Sequence, residues 1–230
     1  MVIILKIQWI GQSGYILKTD STTLCIDPYL SDVVEELAGK KRLVSPPVSA
    51  ENICADAVVC SHNHLDHLDI KTVPKLISST FYAPSDCRSV LKELGVKDYK
   101  VFDEGASFTI GDFTIKAVYA NHTVPAVGLL VKCEGKTLYF SGDTYYDDNL
   151  LNIKQNSLDY AFICINGKLG NMNVEEAVKF AKDLSPAWAI PNHYGMFAEN
   201  TEDPYKFADE LNNAFVMELG KEYEVGKCLI

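Results

Sequence analysis

A chain of 230 residues, 47% hydrophobic and 23% charged, has a globular composition and is long enough to bury a core as one domain spanning residues 1–230. The formal net charge is -10 and the arginines are two, Arg42 and Arg88, which disfavours broad nucleic-acid binding. The seven cysteines form no C-x-x-C pair, which disfavours zinc ribbons and disulfide frameworks and predicts a reducing, cytoplasmic location.

The first part of the chain is predicted to form short strands separated by turns. Residues 2–10 are apolar, but Lys6 and Gln8 interrupt them and no basic flank or cleavage site accompanies them, so they are interpreted as a strand and not as a signal peptide. Further strands are predicted at residues 15–18, 23–26 and 57–60. The sequence contains no stretch long enough to cross a bilayer.

Helices and strands alternate along the rest of the chain. Helices are predicted at residues 68–77, 85–94, 174–184 and 204–215, with Gly95 and Asn173 as caps. Strands are predicted at residues 99–102, 107–110, 113–119, 127–133, 137–140, 158–165 and 187–190, with a short last strand near Tyr223 and Val225. This order favours layered α/β packing without an internal boundary.

The densest group of chemically active side chains follows the predicted strand at residues 57–60. His62, His64, Asp66 and His67 occupy four of six consecutive positions. Imidazole and carboxylate groups are ligands for zinc, manganese and iron, and one ion cannot easily accept all four side chains. The alternative is a solvated polar turn, which this density of histidines disfavours. The segment therefore predicts two adjacent metal sites.

The other two histidines and one aspartate also follow apolar strands. His122 comes after the strand at residues 113–119, Asp143 after 137–140, and His193 after 187–190. Sites in layered α/β folds collect where strand ends meet loops. We therefore expect these three residues to join the cluster, although each alone is equally compatible with an ordinary loop residue.

The series His62-Asn-His64-Leu-Asp66-His67, His122, Asp143 and His193 resembles the H-x-H-x-D-H, H, D, H ligand series of the metallo-β-lactamase superfamily. Within that superfamily the chain looks most like the L-ascorbate-6-phosphate lactonase group. The matching stretches are Trp9-Ile-Gly11, Cys25-Ile-Asp27, residues 61–69, Tyr139-Phe-Ser-Gly-Asp143 and Ile190-Pro-Asn-His193. The resemblance implies a four-layer αββα sandwich, in which two mixed sheets are flanked by helices.

The resemblance also implies how the ligands divide between two divalent ions. His62, His64 and His122 would hold the first ion, Asp66, His67 and His193 the second, and Asp143 would bridge them. Zinc or manganese is expected, with iron as an alternative. Asp66, Asp143 and His193 are the residues expected to carry catalysis.

The chain departs from the lactonase group in ways that bear on the substrate. It is shorter, and Tyr194 and Tyr145 stand where that group has histidines. The Gly142-Asp143-Thr144 segment and the run that begins at Met172 resemble the N-acyl-phosphatidylethanolamine phospholipase D branch.

Paired cations would lower the pKa of a shared water, whose hydroxide attacks a carbonyl or phosphoryl centre. Asp66 is expected to orient this nucleophile and to pass a proton to the leaving group. Asp27, before Pro28, either holds a ligand histidine through its other ring nitrogen or simply forms an Asp-Pro turn. The segment Gly11-Gln-Ser13-Gly14 lacks the spacing of a serine nucleophile elbow and is interpreted as a hairpin turn.

Candidate substrate contacts lie on loops. Asn63, Lys168 and Tyr194 are the leading candidates, and Asn166 and Asn171 are further ones; all are equally compatible with cap and turn roles. The basic run at residues 40–42 would meet a phosphate or be simply solvated.

Three hypotheses for function follow. The leading one is a lactonase or esterase acting on a small, anionic, phosphorylated sugar acid. The second is a phosphodiesterase or phospholipase on the same metals, and the third is a metal-binding sensing module without hydrolysis. A further hypothesis is that a neighbouring subunit of a homo-oligomer closes the pocket.

Overall fold

The computed structural model describes residues 4–226, and within them the strands form two mixed sheets. The first sheet contains β1 (Lys6–Gly11), β2 (Gly14–Lys18), β3 (Thr23–Ile26), β4 (Ala57–Val59), β5 (Thr80–Ala83), β6 (Tyr99–Val101) and β13 (Glu222–Glu224), in the order β13-β1-β2-β3-β4-β5-β6. The second contains β7 (Ser107–Ile110), β8 (Phe113–Tyr119), β9 (Val127–Cys133), β10 (Lys136–Phe140), β11 (Tyr160–Cys164) and β12 (Trp188–Asn192), in the order β12-β11-β10-β9-β8-β7.

Side chains alternate across the first sheet, so that each of its faces is buried against a different layer. Leu24 and Ile26 of β3 belong to the core shared with the second sheet, whereas Cys25 between them belongs to a separate core on the opposite face. Leu91 and Val73 lie in that outer core. This period of two is the pattern expected of strands covered on both faces.

The helices lie in the connections between strands. They are α1 (Val33–Ala38), α2 (Arg88–Glu93), α3 (Val174–Leu184) and α4 (Pro204–Ala208). The buried face of α3, which includes Phe180 and Leu184, packs into the core of the second sheet. Its first residue follows Asn173, whose side chain accepts from the Glu176 amide in a capping box. The predicted bounds and cap of α3 are confirmed.

The helix predicted at residues 68–77 is wrong. The structure has turns there and one 3₁₀ turn at Val73–Lys75. The buried carboxylate of Asp69 accepts hydrogen bonds from the backbone amides of Lys71 and Thr72 and from the Thr72 hydroxyl. These local bonds compete with helical backbone pairing.

The helix predicted at residues 204–215 ends early, at Ala208. The chain beyond it joins the edge of the second sheet, where the Ala189 amide donates to the Asn213 carbonyl and the Phe215 amide donates to Ala189. Pairing with β12 therefore replaces helical pairing. Strand β5 and helix α1 were not predicted, and residues 2 and 3 of the first predicted strand lie outside the described residues.

The order of the strands brings several strand ends to one edge of the sandwich. β3 and β4 are parallel neighbours in the first sheet, and β10, β11 and β12 are parallel neighbours in the second. The loops after β4, β8, β10 and β12 carry the predicted metal ligands, and the loop after β3 carries Asp27. Parallel strands place these loops on the same side.

Two further properties concern the described residues. No helix within residues 4–226 has the length and hydrophobicity to span a bilayer. The six cysteines in this part of the chain are free thiols, and all except Cys54 are buried. Cys228 lies outside the described residues.

Candidate metal centre

The residues that the sequence singled out as metal ligands converge in two groups. One ligand atom from each of His62, His64, His122 and Asp143 lies within 4.8 Å of the others. The second group, Asp66, His67 and His193, meets the same criterion. Side chains separated by up to about 130 positions in the chain thus share one centre, as the strand-end argument predicts.

Three imidazoles define the first group. The Nε2 atom of His62 lies 3.0 Å from Nδ1 of His64, and Nε2 of His122 lies 3.2 Å from the same atom. His122 Nδ1 also faces the Gly170 carbonyl oxygen at 3.0 Å, which can accept a hydrogen bond only if that nitrogen is protonated. In neutral His122 the Nε2 atom therefore presents a lone pair to the group.

The second group is arranged around a fully buried histidine. His67 Nδ1 lies 2.8 Å from the carboxylate of Asp27, which also accepts from the amide and the hydroxyl of Ser61 at 2.7 Å each. Asp27 thus contacts one ring nitrogen of His67 and leaves His67 Nε2 facing the centre. His193 Nε2 lies 3.5 Å from Asp66.

Asp143 stands between the two groups. Its Oδ1 atom is 3.1 Å from His67 Nε2 and 3.2 Å from His193 Nε2, while its Oδ2 atom is 3.8 Å from His122 Nε2. The side-chain amide of Asn171 donates to Oδ2 at 2.9 Å and fixes the carboxylate. Each oxygen of Asp143 therefore faces a different group.

The buried atoms at the centre lack ordinary hydrogen-bond partners. His67 Nε2 and Asp143 Oδ1 are both buried and unpartnered within the described residues, although they face each other. Two lone pairs at this distance repel unless a positive charge lies between or beside them. The donor set of imidazole nitrogens and carboxylate oxygens fits divalent cations such as zinc, manganese or iron.

The pKa shifts of the histidines differ between the two groups of ligand candidates. Burial lowers the pKa of His62 well below its ordinary value and lowers the pKa values of His64 and His122, which favours neutral imidazoles. Burial also opposes protonation of His193, but the carboxylates of Asp143 and Asp66 outweigh it and raise the pKa of His193 to about 9. A cation can take the place of that proton.

The two carboxylates stay ionised in spite of their burial. Burial alone would raise the pKa of Asp143, but His193 and His67 hold it well below the ordinary value. The same two histidines outweigh burial at Asp66 and lower its pKa. Ionised carboxylates beside imidazole lone pairs form a ready set of cation ligands.

Left-handed backbone recurs at the centre. Asp27 and His193 have φ angles of 42° and 60°, and Gln12, which contacts both Asp66 and His193, has a φ of 50°. These are uncommon conformations for residues with a Cβ atom, and they concentrate at functional sites, where surrounding structure holds them.

A cavity of about 390 Å³ opens onto the centre. The residues that line it beside the ligand candidates are Val34, Ala38, Lys40, Leu65, Thr123, Leu169 and Asn200. Lys40 is the lining residue that comes from the basic run at residues 40–42. Arg42 of the same run is buried, and its guanidinium donates to the backbone carbonyls of Val44 and Ser31.

The leading candidates for substrate contacts lie outside this lining. The Asn63 amide donates to Asp86, and the Lys168 ammonium donates to the Glu199 carbonyl. Tyr194 is buried with its ring 4.9 Å from the Trp9 ring. Asn166 donates to the cavity residue Asn200.

Sequence reasoning missed two residues at the centre. Gln12 lies in a turn that was interpreted only as a hairpin, and Gly170 supplies a backbone carbonyl. A glutamine between two glycines gives no signal of a metal site, and a carbonyl contact has no side-chain signature at all.

Solved structures of known proteins share this architecture. The chain superimposes with a TM-score of 0.76 on a metallo hydrolase of the hyperthermophilic archaeon Ignicoccus hospitalis, at 22% identity over 96% of this chain and 98% of the other. An isothiocyanate hydrolase from Delia radicum gut bacteria gives a TM-score of 0.79 at 18% identity, over 96% of this chain and all of the other. The metallo-beta-lactamase fold protein YhfI of Bacillus subtilis gives a TM-score of 0.74 at 22% identity, over 96% of this chain and 99% of the other, and the fold is the metallo-β-lactamase fold, as predicted.

Sequence comparison defines the family. The family model described as beta-lactamase superfamily domain matches residues 22–194, and the chain belongs to this family. A UPF0173 metal-dependent hydrolase of Oenococcus oeni is 30% identical over 241 residues, which span 96% of this chain and all of the relative. Another of Bacillus thuringiensis subsp. konkukian is 28% identical over 98% of this chain and 99% of the relative. The prediction of a metal-dependent hydrolase is confirmed.

Proposed function

We propose that the chain hydrolyses a lactone or ester of a small anionic acid, using two divalent cations held by the seven ligand candidates. A phosphorylated sugar acid such as L-ascorbate 6-phosphate is the substrate that the sequence resemblance implies. Zinc or manganese is the expected metal, and iron is the alternative. The free thiols of the described residues support the reducing cytoplasm as the place of action.

One observation carries the proposal of paired cations: the two oxygens of Asp143 face different groups of ligand atoms. His62, His64 and His122 would hold one cation, and Asp66, His67 and His193 the other. Asp143 would bridge them. The unpartnered His67 Nε2 and Asp143 Oδ1 atoms support this division, because a cation would satisfy both.

In the proposed reaction, Asp66 has a role separate from that of the cations. When bound, the paired cations supply Lewis acidity that lowers the pKa of water and polarises the substrate oxygen. Asp66 lines the cavity and its side chain is 19% exposed, so it can orient the attacking water and accept its proton. The water oxygen bonds to the acyl carbon, the carbon–oxygen bond to the leaving group breaks, and Asp66 returns the proton to the leaving oxygen.

Substrate binding is proposed to depend on charge at the cavity wall. Lys40 lines the cavity and would attract an anionic group. Contacts from Asn63, Lys168 and Tyr194 stay predictions, since their side chains engage Asp86, Glu199 and Trp9. Closure of the pocket by a neighbouring subunit also stays a prediction.

Metal analysis and a paired assay test the proposal. Protein purified without chelator should carry about two divalent ions per chain, as a dinuclear hydrolase requires. The metal-loaded protein should hydrolyse L-ascorbate 6-phosphate or a simple lactone faster than bis(p-nitrophenyl) phosphate. Faster hydrolysis of the phosphodiester would instead support the phosphodiesterase hypothesis. Bound metal without either activity would favour the sensing hypothesis.

A further inference from the structure

The β1–β2 hairpin ends inside the molecule, beside the metal centre. Gly11 pairs with Gly14, so Gln12 and Ser13 form the tip of the hairpin. Hairpin tips normally lie in solvent, yet Gln12 is 0% exposed and Ser13 is 3% exposed. This turn therefore brings a long amide side chain into a buried site.

The backbone of Gln12 is unfavourable for its residue type. Its φ of 50° lies in the left-handed region, where glycine is the residue with the least steric cost. Turn formation alone would be served better by glycine. The side chain of Gln12 must therefore contribute something that outweighs the conformational cost.

The contacts of the amide identify that contribution. Gln12 Nε2 donates to Asp66 Oδ2 at 2.8 Å and lies 3.3 Å from His193 Nε2. The Trp9 indole donates to the Gln12 backbone carbonyl at 2.9 Å and holds the turn in place. The amide thus reaches two of the three residues in the Asp66–His67–His193 group.

Gln12 orients Asp66 in the way that a single neighbour orients each of three other ligand candidates. His67 is oriented by Asp27, His122 by the Gly170 carbonyl and Asp143 by Asn171. For Asp66, no amide or hydroxyl group within residues 4–226 other than Gln12 donates to the carboxylate. The oxygen that accepts this bond, Oδ2, is also the one that faces His193 Nε2 at 3.5 Å and His67 Nε2 at 3.9 Å. The hydrogen bond restricts rotation of the carboxylate and so holds that oxygen toward the group.

We propose that Gln12 is a positioning residue that orients Asp66 and thereby determines how tightly the Asp66–His67–His193 group holds its cation. The proposal rests on the proposed function, because it requires a cation at that group. It predicts that loss of the amide weakens one of two cation sites and leaves the other unchanged.

The experiment is calorimetric titration of the metal-stripped protein with Zn²⁺. Gln12→Met keeps a similar side-chain length and removes the N–H donor. We expect one of two zinc affinities to fall about 10- to 100-fold, the usual effect of removing a residue that orients a ligand, and the other to change less than about twofold. With excess zinc, kcat should fall while KM stays close to its original value, because Gln12 is absent from the cavity lining.

Gln8→Met is the matched control. Gln8 lies on β1, the strand that leads into the turn of Gln12, and its amide donates to the Gly220 carbonyl. This variant should bind zinc at both sites as the unmodified protein does. The role of Gln12 would be overturned if zinc affinity fell equally in the two variants, or if both zinc affinities were unchanged in Gln12→Met. Absence of zinc binding by the unmodified protein would instead overturn the proposed metal centre itself.

Discussion

At the scale of single residues, the centre contains a charged group whose burial is unfavourable without compensation. Asp143 is 5% exposed, is ionised, and faces His67 Nε2, which has no proton to offer when that ring is neutral and keeps its proton at Nδ1 beside Asp27. Burying such a charge is costly unless a cation or strong donors compensate it. Asp143 should therefore matter to both proposed sites at once.

Asp143→Ala is expected to lose both bound ions and hydrolytic activity together. Mutation of a residue that only orients a metal ligand commonly lowers metal affinity or activity about 10- to 100-fold. Removal of the bridging carboxylate should therefore lower kcat/KM by more than about 100-fold. Metal content by mass spectrometry and kcat/KM are the measurements. Asp148→Ala is the control, since this aspartate is exposed and contacts Tyr146. Full metal content in Asp143→Ala would contradict the bridging role.

Gly170 offers a second test at residue scale. A Cβ atom at this position would lie 2.5 Å from His122 Nδ1, and its φ of 99° already disfavours other residues. Gly170→Ala should displace His122 and weaken one metal site by about 10- to 100-fold, measured by zinc titration. Gly105→Ala is the matched control, because Gly105 has a φ of 87° but open space around it. Equal zinc affinities in the two variants would argue against a role for His122.

At the scale of elements, local pattern predicted those segments whose burial repeats regularly. The bounds of β3, β7, β8, β9 and α3 were predicted from alternation, hairpin turns and the Asn173 cap. Strand β5 was missed because its four residues carry no turn signal and pair only with distant strands. The false helix at residues 68–77 arose because the contacts of Asp69 with Leu30 and Ser31 cannot be read from periodicity.

The cap of α3 gives a prediction at this scale. Asn173→Ala removes the hydrogen bond to the Glu176 amide and should destabilise the protein by about 1 kcal/mol, measured by urea unfolding. Glu175→Ala in the same first turn is the control and should cost less, because Glu175 has no cap bond and contributes mainly through the helix dipole. A larger loss in Glu175→Ala than in Asn173→Ala would show that the cap contributes little.

At the scale of the whole molecule, the sequence predicted which residues converge but not how their surroundings are built. The five histidines could be assigned to one centre because each follows an apolar segment or a strand end. The cavity wall could not be predicted, since it combines Val34 of helix α1 with Leu65 and Leu169, which lie in the loops after β4 and β11. Substrate contacts depend on this wall, and for that reason they could not be predicted from sequence patterns alone.

The pH dependence of stability tests the whole centre in metal-stripped protein. His62, His64 and His122 have folded pKa values below 6.5, so acidification below 6.5 protonates the unfolded chain preferentially and lowers stability. His193, with a pKa of about 9, acts in the opposite sense: its contribution is complete below pH 6.5 and is lost as the pH rises through about 9. His67, whose pKa is also raised, acts likewise.

The free energy of unfolding in the presence of chelator should therefore be greatest near pH 6.5 and fall on both sides. The alkaline loss from His193 alone should be on the order of 3 kcal/mol, and urea unfolding at pH 5, 6.5 and 9.5 would measure it. Adding Zn²⁺ should remove the alkaline decrease, because the cation replaces the protons on His67 and His193, and should steepen the acidic one, because protons compete with the cation for the imidazoles. Stability of the stripped protein that rises from pH 6.5 to 9.5 would contradict the arrangement of carboxylates around these two histidines.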